Sequence, residues 1–338
     1  MSNTITHKKT IREIRRRGEI QRDALTKMFF PNDEIVYTEQ VVLDLKNMGK
    51  SMAVFVSPIV GGKAQTENGQ STKIIENPPY VESRKVISAE TLFKREAGEA
   101  VETGAAGALQ RKQAKLLGQE EAEVKNKIEY MVGQFLQTGK INSLDGESQW
   151  EYDYAMSNKV TLTGEDLWNT STSDPVADIE TAINTAEESG EKVEVIVLGQ
   201  NAANDFINNT KAQALLDNRR IKLGEIDPKK LAPGFKYLGT INYSGVDIYS
   251  YNRSVTAPDG SNVKILADNA MVGGPIDRSI LYAPIINLKD KDSPLKFTAR
   301  YSDLKVAENG KTAHVTTETR PVFEPGDMAG YFSWVVTS

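Results

Sequence analysis

From Ala106 to Gln137 the chain holds one period. Leu109, Leu116, Leu117, Val124, Ile128, Met131, Val132, Phe135 and Leu136 recur at steps of three and four, with Lys, Glu and Gln between them. That spacing lays one apolar stripe along one helix. Roughly 30 residues at about 1.5 Å each span about 45 Å, long for a globular helix, so the rest of the fold has to be arranged along it. Gly139 is placed to end it as a C-cap, while Gly118 and Gly133 each weaken its interior by ~1 kcal/mol relative to Ala. Glu120, Glu121 and Glu123 read as surface charges on its polar side.

Upstream, between Asn47 and Arg95, an apolar strand runs into a polar, glycine-punctuated excursion with no Cys and no His. The strand is Met52 to Val60, the excursion Gly61 to Asn77, and the return opens with Pro78, Pro79, Tyr80 and Val81. β-branched and aromatic residues make both flanks strand-like. Asn68-Gly69 accepts the positive φ angles of a tight hairpin turn. The segment therefore reads as a long two-stranded flap, and Gly61, Gly62, Lys63, Asn68, Gly69 and Lys73 are its candidate assembly residues. Its tip has too few large apolar side chains for a core of its own, so it is expected to rest on something else, such as another copy of the chain.

The 338 residues suffice for two domains, or for one domain with large insertions. There is no Cys, which removes disulfides, thiol catalysis and cysteine-based zinc sites and fits assembly in a reducing cytoplasm. No apolar run is long enough for a membrane helix, and the start of the chain lacks the apolar core of a secretory signal. A net charge of -5 hides an asymmetry: Lys8, Lys9, Arg12, Arg15, Arg16, Arg17, Arg22 and Lys27 crowd the first residues against Glu13, Glu19 and Asp23. Such a run is commonly a solvated helix or tail. Ile11, Ile14, Ile20 and Leu25 also allow a partly amphipathic helix that docks on a scaffold protein or a neighbouring subunit. Docking is favoured over DNA binding, because Lys8 to Lys27 contains no aromatic residue to stack on bases and phosphate contacts alone are weak and salt-sensitive.

A second unit begins near Asp174, a helix cap followed by Pro175 in the first turn, with Val176, Ile179, Ile183 and Ala186 inward and Gly190 as the stop. Val193 to Leu198 is a buried strand. Asn201 is the expected cap of the next helix, with Ala202, Phe206 and Ile207 inward. Strands are expected at Tyr237 to Ile241, Val246 to Tyr251, Val263 to Leu266 and Ile280 to Ile286, with turns at Pro258-Asp259-Gly260 and Asn309-Gly310. Lys296 to Val306, Thr312 to Val322 and Tyr331 to Val336 alternate as strands of one antiparallel sheet. The fold class is α+β.

Catalysis finds no support in the residues. His7 and His314 have no acid or nucleophile at a recognisable spacing, and no phosphate-loop, dinucleotide, nucleophile-elbow or zinc-helix pattern occurs. Asp290, Asp292 and Asp303 lack the glycine and closing Glu of a calcium loop and read as a solvated acidic loop. No catalytic, metal or cofactor residue is assigned, and none is expected.

From Phe29-Phe30 onward the order of segments resembles the major capsid proteins of lambda-like tailed phages, the phage major capsid protein E family. The resemblance is carried by Asn47 with Ser57 to Val60, Gly69 to Thr72 leading to Pro79-Tyr80-Val81, Leu92 to Glu99, Val195 to Gly199 with Phe206, Leu216 to Arg220, Asn269 to Gly273, Tyr282 to Ile285 and Thr319 to Val336. Their collinearity is the signal. Glu324-Pro325-Gly326-Asp327 departs from the Pro-Asp turn of the pattern, Trp334 replaces a smaller residue, and the first 28 residues match poorly.

The resemblance implies the tailed-phage capsid fold. It has an N-terminal arm (1–38), a peripheral strand (39–54), an extended β-hairpin loop (55–90), a peripheral domain (91–185) with a spine helix at about 106–138, an axial domain (186–295) and closing peripheral strands (296–338). It implies a structural subunit, not an enzyme, that forms pentamers and hexamers of itself in an icosahedral head enclosing double-stranded DNA. The arm would reach to adjacent subunits. A scaffold protein, a portal and a decoration protein are the implied partners, with weak contact to packaged DNA, no membrane, residence in the virion and assembly in the host cytoplasm. Some shells of this fold join a loop Lys to an Asn of a neighbour. Lys63 and Lys73 lie in the flap, but no crosslink is expected. The rival readings are the shell of a cellular nanocompartment and a nucleic-acid-binding protein acting through Lys8 to Lys27.

Overall fold

A computed structural model describes residues 23–46, 70–75, 78–88, 105–143, 150–215, 234–241, 244–288, 294–306 and 312–338. The first elements are α1 (Ala24–Phe29), β1 (Asn32–Ile35), β2 (Val41–Lys46), β3 (Gln70–Ile75), β4 (Val81–Ser88) and α2 (Ala105–Thr138). Then come β5 (Lys140–Asn142), β6 (Glu151–Asp153), β7 (Lys159–Thr161), α3 (Pro175–Glu187), β8 (Val195–Leu198), α4 (Gln200–Asn208) and α5 (Thr210–Leu215). The remaining strands are β9 (Phe235–Thr240), β10 (Asp247–Tyr251), β11 (Ser254–Thr256), β12 (Asn262–Lys264), β13 (Ala270–Gly274), β14 (Ser279–Tyr282) and β15 (Ile285–Ile286). They end with β16 (Leu295–Lys296), β17 (Tyr301–Val306), β18 (Thr312–Thr319), β19 (Pro321–Glu324) and β20 (Phe332–Val335).

The period read from Ala106 to Gln137 is the single helix α2. Leu117, Val124, Ile128, Met131, Val132, Phe135 and Leu136 are buried along it. Gly139 closes it at φ +67°, its N–H donating to the Phe135 carbonyl at 2.8 Å, because a left-handed residue turns the chain away while still satisfying a last-turn carbonyl. The Phe135 ring gathers distant parts of the chain edge-on: Tyr154 at 5.1 Å, Tyr331 at 5.4 Å, Phe30 at 5.5 Å and Phe323 at 5.9 Å. This edge-to-face geometry suits ring quadrupoles, so one aromatic knot ties the chain's start, middle and tail to the helix.

A six-stranded sheet runs β7-β20-β13-β8-β10-β9. Central β8 is buried throughout, parallel to β10 and antiparallel to β13. Its alternation serves two cores. Val195 and Val197 face the core built on α2, whereas Ile196 and Leu198 face a second core with Ile179, Ile183 and Ala186 of α3 and Phe206 of α4. That two-sided burial is why the strand is apolar without a polar alternation. Asp174 caps α3, accepting the Ala177 N–H at 3.3 Å, with Pro175 in the first turn. The Asp259 turn joins β11 to β12, with Gly260 at φ +86°.

Several expectations are corrected. The hairpin root pairs Val41 through Lys46 with Ile75 through Gln70, so β3 lies inside the segment read as a polar excursion. Met52 to Val60 and Asn68-Gly69 fall outside the described residues. The supposed return at Val81 belongs elsewhere: β4 pairs along its whole length with β18, from Val81↔Thr319 to Ser88↔Thr312. The tail does not form one antiparallel sheet. β17 and β18 join β4, β19 joins β14, and β20 inserts between β13 and β7, parallel to the latter. Arg320 makes the break between β18 and β19, its carbonyl accepting the Ala283 N–H at 3.0 Å and its Nη1 donating to the Pro284 carbonyl at 2.8 Å. Pro284, with no N–H for a ladder, divides the expected Ile280 to Ile286 strand into β14 and β15. Asn201 is not a cap: Gly199 precedes α4, and the Asp268 carbonyl accepts the N–H groups of Asn201 and Ala202 at 2.9 and 3.0 Å. A Cβ on Gly199 would lie 2.1 Å from the Ala267 carbonyl oxygen, so only glycine fits there. Ile207 is turned outward, 41% exposed.

Candidate assembly site

Helix α1 is anchored at its start. The first N–H groups of α1 point at one side chain of α2: Leu25 N–H donates to Glu129 Oε1 and Thr26 N–H to Glu129 Oε2, both at 2.9 Å, and Thr26 Oγ1 adds a bond of 2.6 Å to Oε2. Tyr251 of β10 donates its phenolic proton to Oε1 at 2.8 Å. Glu129 is fully buried. Burial raises its pKa, and the four donors pull the other way. Burial first, and then the neighbouring Glu129 charge, push the Tyr251 phenol upward. A single carboxylate thus ties the start of α1 to α2 and β10. Lys8, Lys9, Arg12, Arg15, Arg16 and Arg17 lie outside the described residues. Lys27 sits beside Asp23 at 3.4 Å.

β2 and β3 pair antiparallel where the flap was expected to begin, with Val41 and Leu43 buried. Lys73 is opposite Leu43 on that root. Gly61, Gly62, Lys63, Asn68 and Gly69 fall outside the described residues.

Two surface features accompany these roots. A groove of about 1010 Å³ runs between β4, α2 and the 255–258 turn, with Tyr80, Lys85, Glu123, Tyr130, Trp150 and Pro258 among its walls. Glu123 accepts Ser83 Oγ and Lys85 Nζ there, both at 2.6 Å. On β1, β15 and β16 and the turns beside them, Ile35, Tyr37, Ile286, Leu288, Leu295 and Phe297 are exposed, and the Tyr37 and Phe297 rings lie 5.2 Å apart.

Glu120 and Glu121 correct the reading of α2. Both are buried, Glu120 completely, while Glu123 is half exposed and paired. Thr317 Oγ1 donates to Glu120 Oε2 at 3.0 Å, and Glu120 Oε1 has no partner. Burial raises the Glu120 carboxyl to about 7, against hydrogen bonds from Thr317 and Lys85. Position was the missed signal: Glu120 stands three residues after Leu117 and four before Val124, inside the buried stripe.

His314 lies in β18, its Nδ1 buried without a partner. Asp303 is on strand β17, not in a loop, and accepts the Leu304 N–H at 2.9 Å. Asp290 and Asp292 fall outside the described residues. Among the described residues no three His, Cys, Asp or Glu side chains group as metal ligands, and no helix is long and apolar enough to cross a membrane.

Comparison with known proteins bears on this geometry. The sequence model of the family described as phage major capsid protein E matches residues 18–332. No curated protein sequence matches the chain. Among solved structures, a protein provisionally assigned as the capsid protein of a prophage of E. coli CFT073 is 19% identical, with 96% of each chain covered and a TM-score of 0.71. It establishes a shared fold. A phage-related protein from Bordetella bronchiseptica RB50 is 14% identical, covering 94% of this chain and 93% of the other, with a TM-score of 0.49. A chain of Gordonia phage Cozz is 13% identical, covering 92% and 83%, with a TM-score of 0.46.

Proposed function

This chain belongs to the phage major capsid protein E family, and on that premise we propose how its parts divide the work of building a shell. It is a structural subunit of a phage capsid, associating with copies of itself in the virion. The observation that carries this is the family match over residues 18–332. In our reading the head is that of a tailed double-stranded DNA phage, and α2 is the spine of a peripheral domain. The segment rooted on β2 and β3 and the basic arm that begins beyond Asp23 make the contacts with neighbours. Closed rings of one chain need one surface to meet a different surface on the next copy, and a projecting hairpin and arm supply that without altering the core.

Pentamers and hexamers, a scaffold engaged by Lys8 to Arg17, a portal, a decoration protein and assembly in the host cytoplasm belong to the same proposal. The family match disfavours the nanocompartment reading. The nucleic-acid reading would require the 8–27 peptide alone to bind DNA tightly and lose that binding steeply with salt. Electron microscopy of the purified full-length protein, alone and with its candidate scaffold, tests the proposal. Closed shells, tubes or rings of five and six are expected. A uniform monomer under both conditions, including at high concentration, would overturn it.

A further inference from the structure

The apolar packing between α2 and its sheet is not continuous. Ile87, Leu117 and Val315 form a small buried cluster, with Leu116, Leu304 and Ala313 packed on it, and the main core resumes on the helix only at Val124. Between them lies a polar layer. On α2 it holds Glu120 and Glu121; on β4, Ser83; on β18, Thr317 and Thr319; all are buried. One atom in that layer has no partner, Glu120 Oε1. A satellite of three buried apolar residues beyond a polar layer has little holding it except the order of that layer's hydrogen bonds.

Those bonds depend on one proton. Ser302 Oγ lies 3.0 Å from Thr317 Oγ1, which lies 3.0 Å from Glu120 Oε2. With Glu120 ionised, Thr317 must donate to it and accept from Ser302. The second carboxylate oxygen is then a buried partial charge with no partner at hydrogen-bond distance, and the backbone N–H of Lys85 offsets only part of the desolvation, the costly case for a group out of water. With Glu120 protonated on Oε2, the chain reverses: Glu120 donates to Thr317, Thr317 to Ser302, and Oε1 is an ordinary carbonyl oxygen whose lack of a partner costs less.

The charged groups nearest this carboxyl are on α2 and β4. On α2 they are Glu121 and Glu123. On β4, Lys85 is held by Glu123 at 2.6 Å, and Arg84 pairs with Glu82 at 2.8 Å. Glu318, with Lys305 of β17 at 3.9 Å, His314 and Asp303 alternate onto the opposite face of the sheet. Glu123 disfavours a charge on Glu120, and Lys85 favours it.

We propose that this layer is a proton-operated joint. With the Glu120 carboxyl protonated, the amino-terminal part of α2 stays seated on β4, β17 and β18; when the proton leaves, the satellite cluster opens while the main core stays closed. The device gives one end of the long helix two positions relative to the other.

Hydrogen exchange of the full-length subunit between pH 4.5 and 8, corrected for intrinsic rates, tests it. Opening across 112–121 and 312–317 rises at least ~10-fold as pH climbs through this range, with a ceiling of about 300-fold if the whole displacement of Glu120 from 4.5 to about 7 is coupled to opening. Exchange at 128–136 stays constant. Glu120→Gln flattens the dependence. Lys85→Met, which keeps the acid and removes its stabilising cation, moves the midpoint to higher pH and covers the case in which the Gln variant does not fold. Opening that is independent of pH in the native protein, a dependence that survives Glu120→Gln, or a midpoint that stays or falls in Lys85→Met would each overturn the joint.

Discussion

Tyr251 donates its phenolic proton to Glu129 Oε1 at 2.8 Å across 122 positions of sequence, and on that same oxygen the Leu25 N–H arrives from 104 positions in the other direction. Three elements therefore share one buried carboxylate: the entry helix α1, the long helix α2 and strand β10 of the large sheet. The first N–H groups of α1 have no intrahelical acceptor, so an acid supplied by another helix does the work of a cap.

Glu129→Ala strands two backbone N–H groups and a phenol in the core. Each unsatisfied buried donor costs about 1–3 kcal/mol, so the subunit loses about 3–5 kcal/mol of unfolding free energy. Tyr251→Phe, which removes one donor of four, loses about 1–2 kcal/mol. Urea denaturation of the full-length subunit measures both. A loss below about 1 kcal/mol in Glu129→Ala would show that α1 is held by its apolar contacts alone.

Gly133 reverses the ordinary rule for glycine in a helix. A Cβ there would sit 2.3 Å from the Ile265 carbonyl oxygen, and Gln137 Nε2 locks the same contact by donating to the Gly133 and Ile265 carbonyls at 2.8 and 2.9 Å. Gly133→Ala gains ~1 kcal/mol of helix propensity but forces backbone apart, and overpacking costs about 1–3 kcal/mol, so the variant is expected to be less stable or at best unchanged. Gly118 is partly exposed on the wall of the groove, and Gly118→Ala is expected to raise stability by about 0.5–1 kcal/mol through helix propensity. Thermal melts should show a rise for Gly118→Ala and a fall or no rise for Gly133→Ala.

Asp174 carries both a cap and an ion pair, accepting Ala177 N–H and standing 2.7 Å from Lys211 Nζ. Lys211, first, and the backbone N–H hold its carboxyl below the ordinary aspartate value of 3.8. A lowered pKa means that the folded state prefers the charged form. The contribution is present above about pH 4 and lost as pH falls through the folded value. Asp174→Ala should cost about 1 kcal/mol at pH 7, a deficit that shrinks in acid, while Asp174→Asn keeps the cap, costs less and removes most of that pH dependence. Melting curves of the three proteins at pH 7 and in acid decide it.

The elements that were legible in sequence share a property: their signal is complete within one segment. The α2 stripe, the continuous apolar run of β8 and the Asp174-Pro175 start of α3 need no partner to be recognised. What escaped depends on a partner far away. β20 has a short alternating pattern that fits any sheet edge, and only the tertiary fold seats Ser333 between Val272 and Lys159. Glu120 and Glu121 were read as surface charges because charge usually overrides position, although both are buried on α2. The β2–β3 root was misread because β3, QSTKII, is polar at its start and lies inside a glycine-punctuated run.

Register now sharpens the test of the proposed assembly flap. Removing Lys63 to Lys73 would delete Gln70 through Lys73 and with them the pairs to Lys46, Leu45, Asp44 and Leu43, confounding folding with assembly. Lys46 and Gln70 face each other at the end of the ladder, so replacing 47–69 with Asn-Gly closes the hairpin by a two-residue turn suited to the twist of antiparallel strands. The core pairs from Val41↔Ile75 onward remain. We expect this variant to be soluble and to melt close to the native subunit, yet to yield no closed shells by electron microscopy where the native chain forms them. Normal particles from it would remove residues 47–69 from the assembly mechanism and leave the basic arm and the exposed aromatic surface at Tyr37 and Phe297 to account for subunit contact.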